Sequence, residues 1–145
     1  MCILHDGLYV AVEDMPIVAK GSGSVKNEVD PSGLIKLIRH HTLGHDAFVI
    51  VALERVNAMP GQGVSSVFSL GDSFGCARSA IASCGFETVY VAPATWKKHF
   101  KLTSDKEACR GAAIRMFPQA PLNLKKHSDR AEALLMARWL YDLRG

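Results

Sequence analysis

The chain has 145 residues, 48% of them hydrophobic and 21% charged, which fits one compact globular domain over residues 1–145 with a single core. No apolar run approaches the roughly 20 residues of a membrane span, and Met1 to Val10 lacks a signal-peptide pattern, so a cytoplasmic protein is expected. Cys2, Cys76, Cys84 and Cys109 show no CxxC pair or Cys/His ligand spacing, which argues for reduced thiols and against zinc. The formal charge of +3 permits nucleic-acid binding without demanding it.

The start reads as a hairpin, with Cys2-Ile3-Leu4, the turn signal His5-Asp6-Gly7, and a returning strand over Leu8 to Val12. Asp14-Met15-Pro16 ends the pairing. The Gly21-Ser22-Gly23-Ser24 run reads as a mobile connection. Asp30 then caps a helix with Pro31 in its first turn, and Leu34, Ile35, Leu37 and Ile38 give it an apolar face. The run Ala47 to Leu53 is continuously apolar, as in a strand buried on both faces of a sheet, and ends in Glu54.

A loop over Asn57 to Gly63 leads into a helix from about Val64 to Cys84, stopped by Gly85. Phe86 to Val91 reads as a strand, and Pro93 opens a helical turn through Phe100. Ser104 caps a helix reaching Phe117, Pro118 to Pro121 breaks the chain, and a last helix runs from Ser128 to Leu143. This order predicts an α/β domain whose mixed sheet is antiparallel first and parallel after. There is no GxGxxG or P-loop, which counts against a nucleotide-dependent small-molecule enzyme.

Three carboxylates carry the chemical reading. Glu54 closes the apolar strand at its C-terminal end, where α/β sheets place their ligands; the plainer alternative is a solvated carboxylate paired with Arg55. Asp129 and Glu132 stand three apart at the start of the last helix and so share a face. They serve either as joint chelators or as ordinary first-turn acids answering the helix dipole. Hard oxygen ligands of this kind suit Mg²⁺, with Mn²⁺ as an alternative, and two such ions about 4 Å apart catalyse phosphodiester cleavage.

Two basic clusters flank these acids. Lys97, Lys98, His99, Lys101 and Lys106 form one, and Lys125, Lys126 and His127 the other. They read as phosphate contacts or as solvated surface. Lys106 lies near a helix N-terminus, which favours a phosphate. Trp96 reads as a phosphate neighbour or as a cover on the core edge, and Phe68 and Phe74 as core rather than as DNA-stacking residues. Gly71 and Gly75 inside a helix point to close approach by another backbone, such as a dimer partner. Gln62 lies in the flexible, uncharged loop Pro60-Gly61-Gln62-Gly63 beside these acids, which reads as a loop that probes nucleic acid or as a plain strand-to-helix connection. His127 reads as a group supporting the metal ligands, as a proton donor, or as a basic surface residue. His40, His41 and His45 read as an exposed helix end.

Through Leu53-Glu54-Arg55-Val56, Ala58-Met59-Pro60-Gly61-Gln62-Gly63, Phe68-Ser69-Leu70-Gly71-Asp72-Ser73-Phe74-Gly75 and Arg130-Ala131-Glu132-Ala133-Leu134-Leu135, the chain resembles the RuvC family, most closely its phage-type members. The resemblance implies a ribonuclease H-like mixed sheet flanked by helices and a bacterial or phage origin. It implies a homodimer that cuts Holliday junctions or other branched DNA in recombination and repair, with Mg²⁺ and no organic cofactor. Glu54, Asp129 and Glu132 then match three of the family's four metal-binding acids. The family's first strand, whose aspartate bridges both ions, has no counterpart, because Met1 to Leu4 matches the second strand. Asp6 and Asp14 are not expected to replace that aspartate. The alternative is an inactive DNA-binding or dimerisation module descended from such a nuclease.

Overall fold

A computed structural model describes residues 1–19, 27–44 and 49–145, so the expectations resting on Gly21 to Ser24, His45, Ala47 and Phe48 lie outside the described residues. The chain divides into two compact units, one of Met1–Asp14 with Val91–Gly145 and one of Met15–Tyr90. Among the described residues the strands pair two by two in three small sheets, where the sequence had pointed to one mixed sheet.

In the first unit, β1 (Cys2–His5) and β2 (Leu8–Val12) form the expected antiparallel hairpin, with Cys2 opposite Val12 and an irregularity between Ile3 and Leu4. Asp6 and Gly7 both take positive φ, 49° and 73°, the combination demanded by the tight turns that match strand twist. Next come α3 (Pro93–His99), α4 (Lys106–Met116) and, after a 3₁₀ turn over Lys125–His127, α5 (Ser128–Arg144). The cap of α4 is Asp105 rather than Ser104. The Asp105 carboxylate accepts the Glu107 N–H at 3.0 Å, while the Asp105 N–H is itself held by the Thr103 hydroxyl at 3.3 Å. α5 packs on α4, β1 and α3, and Ala131, Leu134 and Leu135 are sealed at 0% exposure. Each buried leucine contributes about 1.5–3 kcal/mol, so the first turn of α5 is anchored by the turns behind it.

In the second unit, β3 (Ile17–Ala19) and β4 (Asn27–Val29) form a short antiparallel pair that the sequence reading missed. α1 (Pro31–Thr42) begins as predicted, with the Asp30 carboxylate accepting the Ser32 N–H at 3.0 Å. It buries Leu34 and Ile38, leaves Ile35 and Leu37 half-buried, and packs on α2 (Val64–Ser83). Gly85, at φ 77°, follows the Cys84 cap of α2, as the stop signal required. β5 (Ile50–Glu54) pairs with β6 (Glu87–Val91), whose last residue belongs to the first unit. All five residues of β5 are half-buried, a correction to the expected burial on both faces.

No helix among the described residues is long and apolar enough to cross a membrane. The four cysteines are free thiols, and burial pushes the Cys2 thiol up to about 12.

Candidate functional site

Asp129 and Glu132 project from the first and second turns of α5, and the structure gives each a cation. Lys97, on α3, donates to Glu132 Oε1 at 3.0 Å, and Lys106, the first residue of α4, donates to Asp129 Oδ1 at 2.9 Å. The two pairs differ in setting. The Lys97 and Glu132 side chains are only 16% and 20% exposed, whereas those of Lys106 and Asp129 are 61% and 81% exposed. The Lys106–Asp129 hydrogen bond raises the lysine's pKa and keeps its ammonium charged. Four formal charges thus cancel over one helical turn. Both lysines of the basic cluster are thus engaged by carboxylates of α5.

Behind this turn the backbone is held by groups that sequence reasoning undervalued. Arg130 reaches the end of β2 and grips Asp14 through two bonds of 2.6 Å, from Nε to Oδ1 and from Nη2 to Oδ2. The guanidinium holds the Asp14 carboxyl below its usual range. Asp14 is therefore a tether for α5. His127 is buried, not a surface residue. Its Nδ1 accepts the Leu124 N–H at 3.3 Å, which leaves the ring proton on Nε2. Burial, then repulsion from Arg130 and Lys126, lowers its pKa and favours the neutral ring.

The other predicted residues are distributed as follows. Trp96 is fully buried, with the Lys97 ammonium 5.0 Å from its ring centroid, so it is core and cannot touch a phosphate. Lys98, Lys101 and Lys126 are exposed. Gln62 Oε1 accepts the Met59 N–H at 2.8 Å and so braces its own loop. Phe68 is 68% exposed and does not belong to the core. Among the described residues a Cβ on Gly71 or Gly75 would meet nothing within 4 Å, so no described contact requires glycine there. His40 is exposed, its ring edge-on to His41. Glu54 closes β5, half-buried, in the other unit from Asp129 and Glu132.

The chain is similar to the Thermus thermophilus RuvC structure at a TM-score of 0.55 and 14% identity, covering 88% of this chain and 86% of that one. This chain has a RuvC-like fold. No family profile matches the sequence, and no curated protein matches it by sequence.

On this RuvC-like frame the donor set can be tested against a divalent metal. Among the described residues, no three His, Cys, Asp or Glu side chains gather into a group able to hold a metal ion. Magnesium, however, is commonly held by one or two carboxylates, with water and substrate phosphate completing its octahedron. Asp129 and Glu132 fit that mode. Both are hard oxygen donors on one helix face, and both already attract a positive charge.

Proposed function

We propose that this RuvC-like chain is a metal-dependent, structure-selective endodeoxyribonuclease that cuts Holliday junctions or related branched DNA as a homodimer. The observation that carries the reading is the pair of carboxylates on α5, each neutralised by a lysine from a different helix. Asp129, Glu132 and Glu54 are the proposed ligands of Mg²⁺, with Mn²⁺ as a substitute. When bound there, the metal would supply Lewis acidity and activate a water for phosphodiester hydrolysis.

The chain's own groups account for the exchange of charge. Substrate phosphates complement Lys97 and Lys106 once their carboxylates are engaged, so each acid and each lysine trades one partner for another and no charge is left bare. Lys98, Lys101 and Lys126 add phosphate contacts, and Gln62 faces the junction from its loop. His127 and the Arg130–Asp14 pair act from behind, fixing the turn that presents both acids. The absence of a three-residue metal group among the described residues favours a second reading, a DNA-binding module without cutting.

Labelled four-way junction and linear duplex, incubated with Mg²⁺ or EDTA beside Glu54→Gln and Glu132→Gln, separate the two. The nuclease reading expects Mg²⁺-dependent cutting of the junction that either substitution abolishes. Junction binding with no cutting by the unaltered chain establishes the module instead.

A further inference from the structure

The second unit contains a pocket that the carboxylate chemistry does not use. After β5 the chain continues through Arg55, Val56 and Asn57. Together with Phe74 and Arg78 of α2 and Tyr90 of β6, these residues line a cavity of about 380 Å³, within the roughly 300–1,000 Å³ of small-ligand sites. Phe74 and Arg78 are four apart on α2 and so present one face to it. The Phe74 and Tyr90 rings lie 6.2 Å apart, tilted by 50°, and the Arg55 guanidinium stands 5.6 Å from the Tyr90 centroid. Of the six lining residues two are arginines and none is acidic.

That combination narrows the ligand. Two guanidinium groups with no carboxylate among the lining residues call for an anion, and the planar guanidinium fork matches phosphate oxygens in pairs. An inorganic anion alone would leave the aromatic pair unused. A guanidinium against an aromatic ring keeps its edge N–H groups available, so Arg55 can serve ring and phosphate together. Asn57 adds an amide that both donates and accepts, as the edge of a base requires. Tyr90 is 38% exposed, so a flat group has access to it. A base inside a duplex has its faces covered by its neighbours and cannot stack on protein.

We propose that this pocket binds one unpaired nucleotide of a DNA strand, with its phosphate on Arg55 and Arg78 and its base against Tyr90 and Phe74. The choice of DNA as the polymer rests on the nuclease reading. The pocket deepens that reading by giving a preference for branched substrates with unpaired nucleotides next to the strand end that carries Glu54.

The test is fluorescence anisotropy of a labelled oligothymidylate of about eight nucleotides, in EDTA and across a salt series. The unaltered chain is compared with Arg78→Gln, Tyr90→Leu and, as a control for lost charge, Lys36→Gln on the exposed side of α1. Arg78→Gln should weaken binding roughly tenfold and flatten the salt slope by about 0.7, the single-strand value for one phosphate. Tyr90→Leu should weaken it roughly tenfold at an unchanged slope, and Lys36→Gln should leave both unchanged. Unaltered affinity in both pocket variants, an equal loss in Lys36→Gln, or no binding by the unaltered chain each overturns the pocket. Junction cutting in Mg²⁺, scored separately, shows whether the nuclease reading stands in either case.

Discussion

Replacing Lys97 with methionine removes one charge, the ammonium that stands 5.0 Å from the Trp96 ring centroid, while keeping most of the apolar stem. Its partner Glu132 is 20% exposed, so the lost ammonium is poorly replaced by water. Exposed ion pairs contribute about 0–1 kcal/mol, and breaking a buried one costs about 3–5 kcal/mol; this setting lies between, so Lys97→Met should cost about 1–3 kcal/mol. Adding Glu132→Gln should recover much of that loss, because the stranded charge is gone. Lys106→Met, whose partner Asp129 is 81% exposed, should cost under about 0.5 kcal/mol. The measurement is urea unfolding in EDTA, with the coupling taken from the double-mutant cycle. If Glu132 is also a metal ligand, Mg²⁺ should stabilise Lys97→Met more than the unaltered chain, since no ammonium then competes. A tenfold gain in affinity would appear as about 1.4 kcal/mol at saturation. A Lys97→Met variant as stable as the parent, with no coupling in the cycle, refutes the reasoning about the ion pair. Equal stability with and without Mg²⁺ in both proteins removes Glu132 from the metal site.

The lowered pKa of His127 makes stability pH-dependent. The unfolded ring takes up a proton near pH 6.5 and the folded ring resists it, so the unfolded state binds more protons below that value. Stability therefore falls as pH drops from about 6.5 towards the lower folded value and levels off beneath it. His127→Asn should flatten the change in urea midpoint between about pH 7.5 and about pH 5.5, and an unchanged difference would show that the ring does not titrate on unfolding. At the β1–β2 turn, Gly7 has φ 73° and a Cβ there would lie 2.6 Å from Tyr141 Cε1. Gly7→Ala should cost about 1–2 kcal/mol, of which about 1 kcal/mol should persist beside Tyr141→Ala, because removing the ring relieves the clash and not the left-handed backbone. A neutral Gly7→Ala in thermal unfolding would contradict that account.

Local signals in the sequence mark what depends on local chemistry. The Asp6-Gly7 turn, the Asp30-Pro31 helix start and the Gly85 stop are set by φ preference and capping, and each stands where the residues place it. The cap of α4 was misplaced by one residue because Ser104 and Asp105 are both good caps and only geometry chooses between them. β3 and β4 escaped notice because three-residue strands are too short to show alternation. For the candidate site, the shared face of Asp129 and Glu132 follows from their spacing, but their partners lie 23 and 35 residues away on other helices. A basic cluster in sequence cannot show which lysines face solvent and which are already engaged. Trp96 and His127 were open alternatives for the same reason, since burial at either position is set by tertiary packing and not by local sequence.

The contrast between the two charged sites bears on how such a chain can handle a polyanion. Two bare carboxylates on one helical turn would repel a phosphate backbone, at several kcal/mol for close like charges in a partly desolvated setting. Lys97 and Lys106 cancel that repulsion without a bound ion, so on the proposed function the first unit would meet DNA before a metal is present. The arginines of the second-unit pocket have no acid beside them in its lining, and there an incoming phosphate gains attraction from the outset. DNA affinity measured in EDTA should therefore depend more on Arg78 than on Lys106, whose charge is already spent on Asp129. If Asp129 takes the proposed metal, adding Mg²⁺ should increase the loss caused by Lys106→Met, because the ammonium would then be released to bind phosphate. If Lys106→Met instead weakens binding equally with and without Mg²⁺, its pairing with Asp129 plays no part in the exchange, and the metal does not act at this turn.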